Sequence, residues 1–219
     1  MVLKTVIFDM DGTLLDTEKY YRVFWKKALA HFGYEMTDEQ ALSMRSLGQP
    51  FAPAHLKEMF GGRINYHAVR NYRKQIMEEH IQQNGIQLKP GAKELLTALR
   101  KQGITTAIAT ATDMERTGRY LDMTGLTPYI DKVISASMVR EGKPSPDIYR
   151  YACEQLGVTP EEAFAVEDSP NGVLSAYRAG CLVIMVPDQT KPDEELWPML
   201  YACVEKLEDV EALLKNNAK

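Results

Sequence analysis

The chain has 219 residues, 45% of them hydrophobic, and a formal charge of −4 from 26 basic and 30 acidic side chains. That length holds one sizeable domain or a domain with a smaller one inserted, and the mild acidity removes the general electrostatic reason to expect nucleic acid or an anionic membrane as partner. Cys153, Cys181 and Cys203 are odd in number and lack CxxC spacing, which argues against a disulfide framework, and no run approaches the ~20 apolar residues of a membrane span, so the expected location is cytoplasmic.

The first predicted strand is the apolar run Thr5-Val6-Ile7-Phe8. From residue 16 to about 83 no strand pattern appears, and helical periodicity covers 18–32, 37–47, 54–60 and 66–82. Between Thr17 and Gln83 there are 10 Lys and Arg against 7 Asp and Glu, so this stretch is +3 and the remainder −7. A solvated helical surface and a surface that attracts an anionic substrate both fit that asymmetry. From about residue 86 strand and helix alternate. A helix over 92–101 is opened by Pro90 and closed by Gly103, and another opens at Pro146 and closes at Gly157. Strands are predicted at 105–109, 132–135, 163–166 and 182–186. The alternation predicts an α/β fold: a Rossmann-like parallel sheet with helices on both faces, binding ligands beyond the carboxyl ends of its strands. Residues 1–16 and 84–219 would form the discontinuous α/β core, residues 17–83 a helical lobe inserted over the strand ends, and the tail after Leu214 would fray.

Four motifs fall at predicted strand ends. Asp9 and Asp11, in Phe8-Asp9-Met10-Asp11-Gly12-Thr13, follow the first strand. Two carboxylates there suit a hard cation such as Mg²⁺, or they are turn-capping acids. A calcium loop fails on spacing, because its sixth and twelfth positions would be Leu14 and Tyr20. In Ala109-Thr110-Ala111-Thr112-Asp113-Met114-Glu115, Thr112 and Glu115 have capping-box spacing, so a helix should start there with Thr110 and the following amides facing the strand ends, where phosphate oxygens can be held. Lys143 sits on a short loop, Glu141-Gly142-Lys143-Pro144-Ser145-Pro146, before a helix expected to be Ser-capped and started by Pro146; no Walker loop is present. Glu167 and Asp168 precede Ser169 and Pro170, a cap and a first helical residue, and Asp168 could complete a cation site with Asp9.

All four motifs lie at the carboxyl ends of different strands of one sheet, and together they resemble the haloacid dehalogenase-like superfamily. The match is closest to the branch of β-phosphoglucomutase and small sugar-phosphate and phosphoglycolate phosphatases with a helical cap. The resemblance implies that Asp9 is a nucleophile forming an aspartyl phosphate and also a Mg²⁺ ligand. Asp11 would be the general acid and base, lending its main-chain carbonyl to the metal. It further implies that Thr110, the Ala111 amide and Lys143 hold the phosphoryl oxygens, that Asp168 ligates the metal with Glu167 beside it, and that the lobe is a mobile cap. Arg45 and Arg73 are the cap cations expected to meet substrate. The implied activity is Mg²⁺-dependent hydrolysis of a small phosphorylated metabolite by a monomer or weak homo-oligomer. Phosphomutase is the alternative, weakened by Tyr21 where β-phosphoglucomutases typically carry His, and a non-catalytic phosphometabolite sensor is a third. His31, His55, His67 and His80 have no i,i+4 pairing, which argues against zinc. Tyr20, Tyr21, Phe24 and Trp25 read as core and hinge packing.

Overall fold

The computed structural model of the chain describes residues 5–217. All four side chains of Thr5–Phe8 (β1) are buried, as a strand covered on both faces requires. Four helices follow, Glu18–His31 (α1), Asp38–Ser43 (α2), Phe51–Phe60 (α3) and Tyr66–Asn84 (α4). The chain then runs through Ala92–Lys101 (α5), Thr105–Thr110 (β2), Met114–Thr124 (α6), Lys132–Ser135 (β3) and Asp147–Leu156 (α7). It ends with Ala163–Glu167 (β4), Pro170–Ala179 (α8), Leu182–Met185 (β5), Ala202–Cys203 (β6) and Leu207–Asn217 (α9).

The strands form one six-stranded sheet in the order β3-β2-β1-β4-β5-β6, parallel throughout. Thr5 of β1 stands opposite Thr105 on one side and Ala163 on the other, so strand order reverses between β1 and β4. In open α/β sheets that reversal leaves a crevice at the strands' carboxyl ends. The sheet keeps the period-two alternation of its strands. Val6 and Phe8 pack with Leu95, Leu96 and Leu99 of α5, Tyr120 of α6 and Val210 of α9. Ile7 packs on the opposite face with Ile148 and Ala152 of α7 and Val173 and Ala176 of α8. Each fully buried aliphatic or aromatic side chain of this kind contributes about 1.5–3 kcal/mol.

Helices α1 to α4 share an apolar cluster of their own, including Trp25, Leu29, Met44, Leu56 and Val69. Phe24 of α1 and Met77 and Ile81 of α4 instead join the cluster on the sheet. A reciprocal Thr37–Gln40 capping box starts α2, and the Asn65 side chain caps α4. The two chain crossings between these helices and the sheet run side by side: Asp16 N donates to Gln87 O and Lys89 N donates to Leu14 O, each at 2.9 Å.

Several local expectations are corrected. Helix α2 stops at Ser43 rather than 47, and Ser46 takes a left-handed φ of 54°. Pro146 immediately precedes α7 instead of being its first helical residue, and Ser145 donates to the Asp147 carboxylate rather than capping the helix. Asp113, not Thr112, caps α6 by accepting from Arg116 N. Strand β6 was missed, since a two-residue strand carries no periodicity. Helix α9 runs past Leu214 to Asn217, and the last two positions lie outside the described residues. Among the described residues no helix is long and apolar enough to cross a membrane.

Candidate active site

At the carboxyl end of β1 the Asp9 amide donates to Val166 O at 2.9 Å, carrying the ladder one residue past the strand. Gly12 then turns the chain with φ +88°, and a Cβ there would lie 2.3 Å from Asp168 Oδ2, so both backbone and space require glycine. The turn fixes Asp11 between two hydroxyls. Thr17 Oγ1 donates to its Oδ1 at 2.6 Å and Thr112 Oγ1 to its Oδ2 at 2.8 Å. Because Thr112 spends its proton on Asp11, it accepts from Tyr21 OH at 3.0 Å. This service to Asp11 replaces the helix-capping role predicted for Thr112.

Lys143 is fully buried, and its Nζ donates to Asp9 Oδ1 at 2.5 Å and Glu167 Oε1 at 2.6 Å. Tyr149 OH donates to the same Glu167 oxygen at 2.5 Å. Burial works against the Lys143 charge, but Asp9 and Glu167 outweigh it and hold the ammonium protonated well above an ordinary lysine. Burial pushes the Asp9 carboxyl far up, with Lys143 pulling it down and Glu167, Asp168 and Asp11 adding to the rise.

Asp168 is paired with the Arg45 guanidinium, which also lies 3.4 Å from Glu18 Oε2 and donates to Thr190 Oγ1 at 2.9 Å. Burial raises the Asp168 carboxyl to about 7, against the pull of Arg45, and raises Glu18 likewise. Carboxylate oxygens of Asp9, Glu167 and Asp168 lie within 4.8 Å of one another. Asp9 Oδ2, Glu167 Oε2 and Asp168 Oδ1 are buried without a hydrogen-bond partner. Orphaned acceptors of this kind need an explanation, and a set of convergent carboxylate oxygens fits a hard divalent cation such as Mg²⁺.

Above this floor is a cavity of about 60 Å³ whose wall includes Asp9, Asp11, Arg70, Arg73 and Arg116. Ala111 and Arg45 line it, as does Arg73. Thr110 is fully buried beneath, and its hydroxyl accepts from Thr112 N at 3.0 Å. The structure therefore brings Asp9, Asp11, Glu167, Asp168, Lys143, Arg45 and Ala111 to one place, with Thr110 buried beside Thr112 and Arg73 in the same cavity wall.

The sequence matches the haloacid dehalogenase-like hydrolase family over residues 6–186. The chain belongs to that family. It is 31% identical to a phosphorylated carbohydrates phosphatase of Thermotoga maritima, over 99% of this chain and 92% of that protein. It is 33% identical to hexitol phosphatase A of Escherichia coli, over 85% of this chain and 84% of that protein. The crystal structure of CbbY from Rhodobacter sphaeroides in complex with phosphate superposes with a TM-score of 0.80 at 26% identity, covering 96% of each chain.

Some residues at this haloacid dehalogenase-like site escaped the sequence reading. Tyr21 and Trp25 line the cavity instead of serving only as packing, while Tyr20 and Phe24 do pack, both against His80. Glu18 gave no motif signal, since an acid in the first turn of a helix such as α1 is ordinary. Arg116 gave no signal, being one of several charges on an amphipathic helix. Of the histidines, His31 stacks on Tyr72 at 4.0 Å, and none belongs to the carboxylate cluster.

Proposed function

We propose that this phosphoric monoester hydrolase dephosphorylates a small phosphorylated carbohydrate or polyol through an aspartyl phosphate on Asp9. The observation that carries the reading is the unequal treatment of two neighbouring carboxylates. Asp9 is held by Lys143 among acids with orphaned oxygens. The hydrogen bonds to Asp11 come from neutral hydroxyls instead of a cation. Perturbed and differentiated carboxylates are what acid–base and nucleophilic roles require.

In this reading an Asp9 oxygen attacks phosphorus, the ester P–O bond breaks, and Asp11 gives its proton to the leaving alkoxide. Asp11 then takes a proton from water, which attacks the same phosphorus; the bond from phosphorus to Asp9 breaks and inorganic phosphate leaves. Lys143 offsets charge on Asp9 and the phosphoryl group. Thr110, having accepted the Thr112 amide, still has its own proton to give a phosphoryl oxygen beside the Ala111 amide. Asp9 and Asp168, with Glu167 next to them and the Asp11 carbonyl, would hold Mg²⁺, which when bound supplies charge that relieves repulsion between carboxylate and phosphate. Residues 17–83 act as a cap over the core formed by 1–16 and 84–219, and Arg45 and Arg73 approach the substrate from it. The cap excludes bulk water from the first step.

The names of the relatives that act on phosphorylated carbohydrates and hexitols support the substrate class. The phosphomutase alternative is less well supported, because Tyr21 is committed to Thr112 and to the face of Arg73. The test is phosphate release from a panel of sugar and polyol phosphates with and without Mg²⁺, with acid-quenched mass spectrometry for a phosphoryl group on Asp9. Mg²⁺-dependent release that survives Asp9→Asn would overturn the mechanism.

A further inference from the structure

We infer that Arg45 is a positioning residue for the cation site: it takes one oxygen of Asp168 and leaves the other for the cation, so that affinity for Mg²⁺ depends on a residue of the helical segment 17–83. The inference rests on the cation site of the phosphatase reading above, and it gives Arg45 a task beyond its place in the cavity wall.

The three carboxylates of the cluster are divided in the same way. Asp9 gives Oδ1 to Lys143, and Glu167 gives Oε1 to both Lys143 and Tyr149. Asp168 gives Oδ2 to the Arg45 guanidinium. The second oxygen of each, Asp9 Oδ2, Glu167 Oε2 and Asp168 Oδ1, is buried without a hydrogen-bond partner. Holding one oxygen of a ligand carboxylate fixes the direction of the other, and outer partners of this kind typically carry about 10–100-fold of metal affinity. Lys143 and Tyr149 come from the loop before α7 and from α7 itself, whereas Arg45 comes from the turn after α2.

Arg45 is seated around Asp168 by backbone and side chain together. Its carbonyl accepts from Asn171 Nδ2 at 2.9 Å, its Nη2 also reaches Asp168 O at 3.3 Å, and its Nη1 donates to Thr190 Oγ1 at 2.9 Å. A guanidinium near a metal ion repels it, but acids still outnumber bases here. Asp9, Glu18, Glu167 and Asp168 share Lys143 and Arg45 between them, so the attraction for a divalent cation persists. Orientation of Asp168 is then the larger effect. By linkage, the factor by which a seated Arg45 raises cation affinity is the factor by which the cation favours that seating.

Calorimetric titration of the metal-stripped full chain with Mg²⁺ reads the affinity without turnover. Arg45→Gln should weaken binding by about 10–100-fold. Arg73→Gln is the matched control, a second buried arginine of the same segment and cavity wall, for which no ion pair with a carboxylate is found among the described residues. It should bind Mg²⁺ nearly as the wild type does. Hydrogen exchange adds a readout that packing alone would not move: Mg²⁺ should slow exchange of the Gly48 amide in the wild type and not in Arg45→Gln. Should Arg45→Gln fail to fold, Thr190→Val removes one acceptor of the guanidinium and should weaken Mg²⁺ binding by a smaller factor; unchanged binding there would overturn the inference. Unchanged or tighter binding by Arg45→Gln would also overturn it, tighter binding marking Arg45 as a competitor of the cation. An equal loss in Arg73→Gln would do so too, by showing a general loss of packing. If the wild type itself binds no Mg²⁺, the cation site of the phosphatase reading fails, whereas wild-type binding with an unaffected Arg45→Gln protein refutes the role of Arg45 alone.

Discussion

The Gly48 amide donates to the Lys143 carbonyl at 2.8 Å, and Gly142 N returns a bond to Gln49 O at 2.7 Å. A Cβ on Gly48 would lie 2.5 Å from Gly142 Cα, and one on Gly142 would lie 2.6 Å from Gly48 Cα, so the two backbones cross with no room for a side chain. The loop that brings Arg45 to Asp168 is thereby fastened to the loop that brings Lys143 to Asp9.

Gly48→Ala should part these loops and lower kcat by about 10²-fold, the usual cost of an ångström-scale misplacement of reacting groups. Gly62→Ala is the matched control, since its Cβ would meet only the end of Lys57 at 3.5 Å. Steady-state phosphate release from both variants checks the difference.

Asp11→Asn should slow hydrolysis of alkyl phosphates by about 10²–10⁴-fold through loss of acid–base catalysis. The loss should be smaller for p-nitrophenyl phosphate, whose leaving group needs no proton. Equal losses on the two substrates would remove Asp11 from the protonation step.

Lys143→Met leaves Asp9 and Glu167 buried without their shared cation. Breaking a buried ion pair on one side typically costs about 3–5 kcal/mol. Urea unfolding in chelator should show a loss of that order, and added Mg²⁺ should restore part of it by replacing the missing positive charge.

Asp113→Asn tests pH dependence, because asparagine caps a helix about as well as aspartate and the change isolates the charge. Partial burial tends to raise the Asp113 carboxyl, but the Lys74 hydrogen bond and the Arg116 charge outweigh it and hold it well below the usual range. A folded-state value below the unfolded one means that the stabilisation is complete above the unfolded carboxylate range, near pH 4, and is lost as pH falls through the folded value. The wild type should exceed the variant by about 0.5–1 kcal/mol at pH 7, a partly exposed pair being worth little more. The gap should shrink steadily below about pH 4 in chemical denaturation curves.

The strands of the core are legible because a buried parallel strand is a nearly continuous apolar run, and Asp9, Lys143 and Asp168 because each follows such a run or its loop. Arg45 could be named as a cap cation but not placed, since its partner Asp168 is 123 positions away and helix α2 stops short of it. Capping-box spacing to Glu115 points to Thr112 as the cap of α6, a place that Asp113 takes without that spacing; the competition from Asp11 for the Thr112 hydroxyl is a tertiary effect with no local trace. Arg116 lies three residues from Asp113, which reads as an ordinary surface pair until the cavity is seen to open beside it.

The position of β1 in the sheet has a consequence for how the chain acquires its structure. Among the described residues, 5–8 pair in the sheet with 105–108 and 163–166, so the segment bearing Asp9 has no sheet partner until nearly half the polypeptide is available. Long-range parallel pairing of this kind is slow and leaves strand edges uncovered. Helices α1 to α4, with their own apolar cluster, can collapse locally during that interval. The carboxylate cluster therefore closes only when β4 docks beside β1 and delivers Glu167 and Asp168 to the segment bearing Asp9.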